Sequence, residues 1–373
     1  MLNRKKLFSV RSFAILSLIT ALFLTGCLSA VPTSTAAPSS TGNDSDPAAA
    51  GYDPDAGGPG VYIAGRHDGS SIYDIRACYW KNGTLKTFSG DYTEALSITV
   101  VNNDVYIASS HDVGGGIYHA CYLKNGERII LANVNSRAHT ITVVETGGTP
   151  DVYVAGWYDA GDSYWYACYW KNGELVPLSK LDESQANAIT VLNTGETTDV
   201  YIAGRYTGSD KNFRACYWKN GQRTDLSSGI FSEAWDITVV NNDVYVAGHY
   251  RPGATTIACY WKNGQRVNLF AGSSRAFGMT AANNDIYIAG WYTDSSGYDK
   301  ACYWKNGQRT DLPAGLFSSA TAVTIVNNDI YVTGACDDDA VDTWKACYWK
   351  NGERTFLPAG TGNSSAGSIA VIE

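Results

Sequence analysis

Basic charge is the first thing this chain is short of. It carries 28 Lys and Arg against 36 Asp and Glu, so it lacks the basic patches that a nucleic acid or an anionic lipid surface needs as a partner. Histidine is scarce too. The five present (67, 111, 119, 139 and 249) show no metal-ligand spacing such as His-Glu-x-x-His. No Gly-x-Ser-x-Gly elbow presents a nucleophile. The apolar run from Phe13 to Phe23 falls short of the ~20 residues that a membrane-spanning helix requires. With no assembled nucleophile, base or metal set, no catalytic residue and no cofactor is expected.

The N-terminus reads as an address. Arg4, Lys5 and Lys6 give a basic start, the apolar run follows, and Leu24-Thr25-Gly26-Cys27 closes it. That tetrad resembles the lipobox of bacterial lipoproteins. The resemblance implies that residues 1–26 are a signal peptide and that Cys27 becomes the lipid-modified first residue, which holds the protein to a membrane outside the cytoplasm. Removing the four cations of that segment (Arg4, Lys5, Lys6, Arg11) leaves 24 against 36, a net charge of −12. From Cys27 to Gly60 the composition is Ala, Pro, Ser, Thr, Gly and Asp, which is that of a flexible linker.

What the chain has in abundance is repetition. Ala-Cys-Tyr begins at Ala77, Ala120, Ala167, Ala215, Ala258, Ala301 and Ala346, a period of 43 to 48 residues. In the copy from Ala234 to Leu269, Ile237–Val240 is β-branched and predicts a strand, a. Asn241-Asn242-Asp243 is a turn, and Val244–Gly248 is strand b. A loop then leads to strand c, Ala258–Trp261. Asn263-Gly264 is the strongest short hairpin signal there is, and strand d returns to Leu269. Four strands per copy at this period predict a β-propeller. The folded part, residues 61–373, opens on a strand b at Val61 and closes on a lone strand a at Ser368–Ile372. The seventh blade is therefore spliced from both ends, which closes the ring and removes exposed sheet edges. A closed seven-bladed ring predicts a monomer.

The layout resembles known seven-bladed propellers, in which strand a is innermost. The phrase Ala-Cys-Tyr-Trp-Lys-Asn-Gly is similar to bacterial extracellular repeats of the HAF type. These resemblances imply the fold and leave function open, since propellers host enzymes, lectins and scaffolds alike. The Asp boxes of sialidases are missing, and neither the double glycines of kelch repeats nor the Trp-Asp of WD repeats recurs from copy to copy.

Seven cysteines (78, 121, 168, 216, 259, 302 and 347) hold one equivalent position each. Such positions in neighbouring blades lie about 10 Å apart, beyond the ~7 Å reach of a disulfide. They read as small buried hydrophobes. Cys336 stands apart from this set. It is read as a free thiol, with a disulfide to Cys347 as the alternative.

A ligand belongs at the end bearing the b–c and d–a loops, where the copies diverge. The a–b and c–d turns at the other end recur almost unchanged. Two sets flank the repeated Ala of strand a and are expected to ring the channel mouth. Glu94, Arg137, Gln185, Glu233, Arg275, Ser319 and Ser365 precede it; Leu96, His139, Asn187, Trp235, Phe277, Thr321 and Gly367 follow it. Among them, Glu233, Trp235, Arg275, Phe277, Arg137, His139, Asn187 and Glu94 are the ligand-binding candidates. Aromatics with charged neighbours can stack a sugar or anchor a protein loop. Plugging the channel or packing under loops would account for the same side chains. A second set lies further out on the b–c loops: Trp157, Tyr164, Trp165, Arg205, Arg214, Trp291 and Trp344. Asp337-Asp338-Asp339 with Asp342 could hold a hard cation, although a solvated loop explains them as well. The expected role is a binding module for a glycan or an envelope protein. The alternatives are a scaffold docking partners on the blade rim, or a glycoside-active enzyme using a carboxylate pair such as Glu94 and Glu233.

Overall fold

The computed structural model describes residues 57–69, 75–88, 92–162, 164–179, 182–227, 231–338 and 343–373. The signal segment, Cys27, nearly all of the linker, and Asp339 and Asp342 lie outside them. The described residues form seven four-stranded antiparallel sheets and no helix. Blades 2 to 7 occupy 92–130, 136–177, 184–225, 231–268, 274–311 and 318–356. Blade 1 joins the C-terminal strand Ser364–Ile372 to Gly60–Asp68, as the splice predicts, with Val61 opposite Val371 and Ile63 opposite Ile369. Each strand a contacts the strand a of the next blade all the way round. The chain is a seven-bladed β-propeller.

Packing between blades explains why the repeat is so strict. Trp80, Trp170, Trp218, Trp261, Trp304 and Trp349 of strand c are fully buried, with Leu123 in the same place in blade 2. Each packs into a cluster drawn from two neighbouring blades; Trp261 and Cys259 of blade 5, for instance, meet Tyr201, Ala203 and Leu226 of blade 4. The repeated thiols are buried and unpaired. Burial raises them, Cys121 to about 12, which fits their role as small apolar fillers.

The invariant turns staple one end. Asn241 and Asn242 both adopt left-handed φ (50° and 66°), as do Asn263 and Gly264 (48° and 82°), the geometry of primed hairpin turns. Asn263 Oδ1 accepts from the Val244 amide at 2.9 Å, and its Nδ2 donates to Asp243 at 2.7 Å. Lys262 completes the knot, with Nζ 2.8 Å from the same carboxylate. The knot recurs at Asp104, Asp151, Asp199, Asp285 and Asp329. Two a–b turns nonetheless depart from the expected uniformity. Blades 3 and 4 replace Asn-Asn-Asp with the longer Glu145–Pro150 and Thr194–Thr197 segments, which help to line a shallow recess of about 990 Å³ between the two blades.

At the other end every strand a carries a β-bulge. In blade 5 the register slips between Ala234 and Asp236, leaving Trp235 as the extra residue. The same slip isolates Leu96, His139, Asn187, Thr321 and Gly367, and in blade 6 both Phe277 and Gly278. Bulges re-aim a side chain. The Gly of strand b makes room for this one, because a Cβ on Gly248 would collide with the Glu233 carbonyl and press on Trp261. In blade 2, Ser109 takes that place and its hydroxyl donates to the Glu94 carbonyl at 2.7 Å.

Candidate functional site

The bulge residues face the neighbouring blade across the innermost ring, and several are tied to its backbone. Asn187 Nδ2 donates to the Ala234 carbonyl at 2.7 Å and Thr321 Oγ1 to the Ala366 carbonyl at 2.7 Å. His139 Nδ1 lies 2.8 Å from the Ala186 carbonyl. Loss of hydration in the packed channel pulls His139 down to about 4, with Arg137 and Arg205 pushing the same way. It is a neutral imidazole donating to a carbonyl. The next residue along continues the stitching. Ser368 and Ser97 accept from the Ile98 and Ile141 amides at 3.3 Å, and Asp236 accepts from Met279 at 2.7 Å.

The residues before the repeated Ala form a second layer with their cross-strand partners. Gln185 sits opposite Arg205, Glu233 opposite His249, Arg275 opposite Trp291 and Arg137 opposite Trp157. A polar chain runs through this layer across three blades. Gln185 Nε2 lies 3.4 Å from His139, and its Oε1 accepts from Arg205 at 2.9 Å. Arg205 is also paired with the Glu233 carboxylate. Glu233 Oε2 in turn lies 3.3 Å from His249 Nε2. Trp235 Nε1 donates to His249 Nδ1 at 3.2 Å, which places the imidazole proton on Nε2. Burial lowers His249, with the Glu233 carboxylate opposing, and keeps it the neutral acceptor that Trp235 requires.

Glu233 is almost wholly buried. Burial alone would raise its carboxyl, but Arg205, with help from His249 and Arg275, outweighs that and holds it at about 2. A carboxylate held ionised is no proton donor at neutral pH. Glu94 is likewise paired, with Arg66. The two acids of the glycosidase alternative are thus each committed to an arginine, on blades 2 and 5.

Trp235 is half-buried and meets Phe277 edge-on at 5.9 Å between centroids, while Phe277 itself is only 9% exposed. Arg137 lies over the Tyr118 ring at 4.0 Å. The structure therefore gathers Glu233, Trp235, Arg275, Phe277 and His139 around one network, leaves Arg137 beside His139 on blade 3 but turned onto Tyr118, and sets Glu94 apart on blade 2. Of the outer set, Trp157 is buried and stacks on Trp165 at 5.0 Å. His249 was not singled out by the sequence reading. The cross-strand register carries the missing signal, since the residue after the strand-b Gly always faces the residue before the repeated Ala.

Arg275 differs from its counterparts. Its guanidinium lies 6.0 Å from the Trp291 ring, and Nε and Nη1 are buried with no hydrogen-bond partner among the described residues. Burial works against its charge, and Arg251 adds to that, with Glu233 and Asp299 opposing. Among the described residues no group of three His, Cys, Asp or Glu is arranged to hold a metal ion.

No family model matches the chain and no curated protein matches it. Solved structures resemble it at 8 to 13% identity. The β-propeller domain of the Trilobed protease from Pyrococcus furiosus matches with a TM-score of 0.48 and 8% identity, covering 81% of this chain and 93% of that one. TolB from Acinetobacter baumannii gives 0.44 and 11%, covering 83% and 82%. A sialidase from Trypanosoma rangeli gives 0.44 and 10%; there the match covers 77% of this chain and 56% of that one, so the chain spans about half its length. The blade count and ring closure rest on the strand pairing itself.

Proposed function

We propose that the chain is a lipid-anchored, extracytoplasmic binding module whose variable-loop end takes a glycan or an envelope protein. The observation that carries this reading is the channel-mouth layer of blades 4 to 6. There an ordered polar network ends at the half-buried Trp235 and at a guanidinium with unmatched donors. Several neutral groups, such as the indole N–H of Trp170, Trp218, Trp261 and Trp304, are also buried without a partner among the described residues, but Arg275 is the cation with two such donors, and a buried charge left unmatched is the costlier case. The exposed apolar side chains point to the same end. Ile75, Val113, Ile117, Val134, Tyr164 and Leu316 lie in or beside the variable loops, whereas Ile130, Leu175, Val267 and Phe356 are spread one to a blade on strand d. A spread of that kind makes no continuous docking patch on the rim.

A glycan-array screen of the full chain, purified in detergent beside its Trp235→Ala variant, tests the reading. Binding that the variant loses at unchanged melting temperature supports a mouth site. Equal binding by both proteins moves the site elsewhere. For the anchor, metabolic labelling with an alkyne fatty acid is expected to tag the wild type and not Cys27→Ser; equal labelling overturns it.

A further inference from the structure

The geometry points to Arg275 as the anchor for a carboxylate on an acidic saccharide bound at the mouth of blades 5 and 6. The inference rests on the binding-module reading and adds the chemistry of the ligand.

Of the four arginines of this layer, Arg137 lies over the Tyr118 ring with none of its nitrogens buried and unmatched, and the other three can be compared directly. Arg66 has Glu94, and Arg205 has Glu233 and Gln185. Arg275 has only the Trp291 ring, over which its guanidinium lies at 6.0 Å. The nearby acids are engaged elsewhere: Glu233 with Arg205, and Asp299 as acceptor of the Thr293 hydroxyl at 2.8 Å. Two buried N–H groups of a cation left without acceptors are costly, each comparable to a lost charged hydrogen bond. The side chain nonetheless keeps part of its surface in solvent. A planar anion arriving from that side completes the guanidinium with a two-pronged contact, which a carboxylate matches in shape. Arg251, exposed on the same blade end and lying over Phe231, adds a second positive charge. These cations stand in a protein of net charge −8, so the local sign is set against the overall one.

The surroundings favour a sugar over a peptide C-terminus. Trp291 and Trp235 are both half-buried and offer flat apolar faces of the kind a pyranose ring stacks on. Capture of a terminal carboxylate commonly uses a nest of free backbone N–H groups. Here Ser274, Arg275 and Ala276 are each paired across to Tyr292, Trp291 and Gly290, and the bulge at Phe277 and Gly278 begins only beyond them.

The test titrates the full chain with oligogalacturonate, with neutral galactan oligomers of the same length, and with a peptide bearing a free C-terminus. Oligogalacturonate is expected to bind and raise the melting temperature, with the neutral oligomer at least about tenfold weaker. Arg275→Gln is expected to weaken oligogalacturonate by about 10- to 100-fold with no loss of melting temperature, because it removes an unmatched buried cation. Arg275→Lys should recover part of the affinity. Equal affinity for neutral and acidic oligomers, an unchanged affinity in Arg275→Gln, or binding of the peptide alone each overturns the inference. The wild-type comparison of the two oligomers stands whether or not a variant folds. If a neutral glycan binds and Trp235→Ala abolishes it, the binding module survives and the acidic assignment falls. If no glycan of either charge binds, both fall in their glycan form.

Discussion

Replacing Asp236 by Ser should stabilise the protein at alkaline pH and not at acid pH. Asp236 links blade 5 to blade 6: its Oδ2 accepts from the Met279 amide at 2.7 Å and its Oδ1 from the Ile237 amide at 2.8 Å. No cation among the described residues shares the site. Burial raises the carboxyl from 3.8 to about 7, and the two amides only partly offset this. Between those values the unfolded chain ionises freely while the folded one holds its proton, so this group's contribution to stability falls as pH rises from about 4 to 7 and is level above. The full shift corresponds to about 4 kcal/mol, which channel water reaching the half-buried carboxylate reduces to on the order of 2–4 kcal/mol. Ser97 and Ser368 make the same link at two other seams, so Ser fits the position, at a cost of about 1 kcal/mol for the lost second contact. Urea unfolding followed by tryptophan fluorescence at pH 4 to 8 gives the difference between Asp236→Ser and wild type. It should be slightly negative near pH 4 and positive by roughly 1–3 kcal/mol at pH 8. The wild-type curve alone is a poor readout. His139, held at about 4 from an ordinary 6.5, contributes stability that is lost as pH falls through the same window, and the two slopes offset. A difference that does not change with pH refutes the account.

Other expectations follow from the same geometry. Gly248→Ala should cost about 3 kcal/mol or more, since its Cβ would collide with the Glu233 carbonyl at the bulge; thermal unfolding checks this, and a loss below 1 kcal/mol would mean that the bulge gives way easily. Arg205→Ala should cost about 3–5 kcal/mol at neutral pH by stranding a buried carboxylate, and Glu233→Gln in that background should recover part of it. Cys336 and Cys347 bring their sulfurs to 3.0 Å, and Arg354 lies 3.8 Å from Cys336. Oxidised glutathione should therefore take two electrons from this pair and close it, with loss of two hydrogens by mass spectrometry. The product should be absent from Cys336→Ser, and none of the other repeated thiols should pair.

How far the sequence could be read depended on which contacts repeat. Tryptophan, cysteine and the Asn-Gly turn recur seven-fold or nearly so because each blade buries the same wedge against the next, and a contact made seven times leaves a period in the chain. The spliced blade was legible for the same reason, as an unpaired strand a left at the end of a counted series. The site is different because each blade contributes one unlike residue. The chain shows Glu233 and Arg275 as a column; it does not show that Arg205 reaches from the neighbouring blade to take Glu233, or that Arg275 is then left without a carboxylate. That outcome depends on a bulge and a cross-strand register, and a slip of one residue would turn every side chain in the layer to the other face. The bulge itself was nearly legible. A Gly on strand b facing an Ala on strand a marks a place where two backbones approach closely, and the residue after that Ala is the one pushed inward. Blade 2, with Ser109 in place of the Gly, and blade 6, with two residues in the bulge, bend the rule without breaking the ring. Blade 6 is also where the unmatched guanidinium lies, so the two-residue bulge begins directly after the Arg275–Ala276 pair, the first of which is argued to meet a ligand, as expected when local regularity is given up at a functional site.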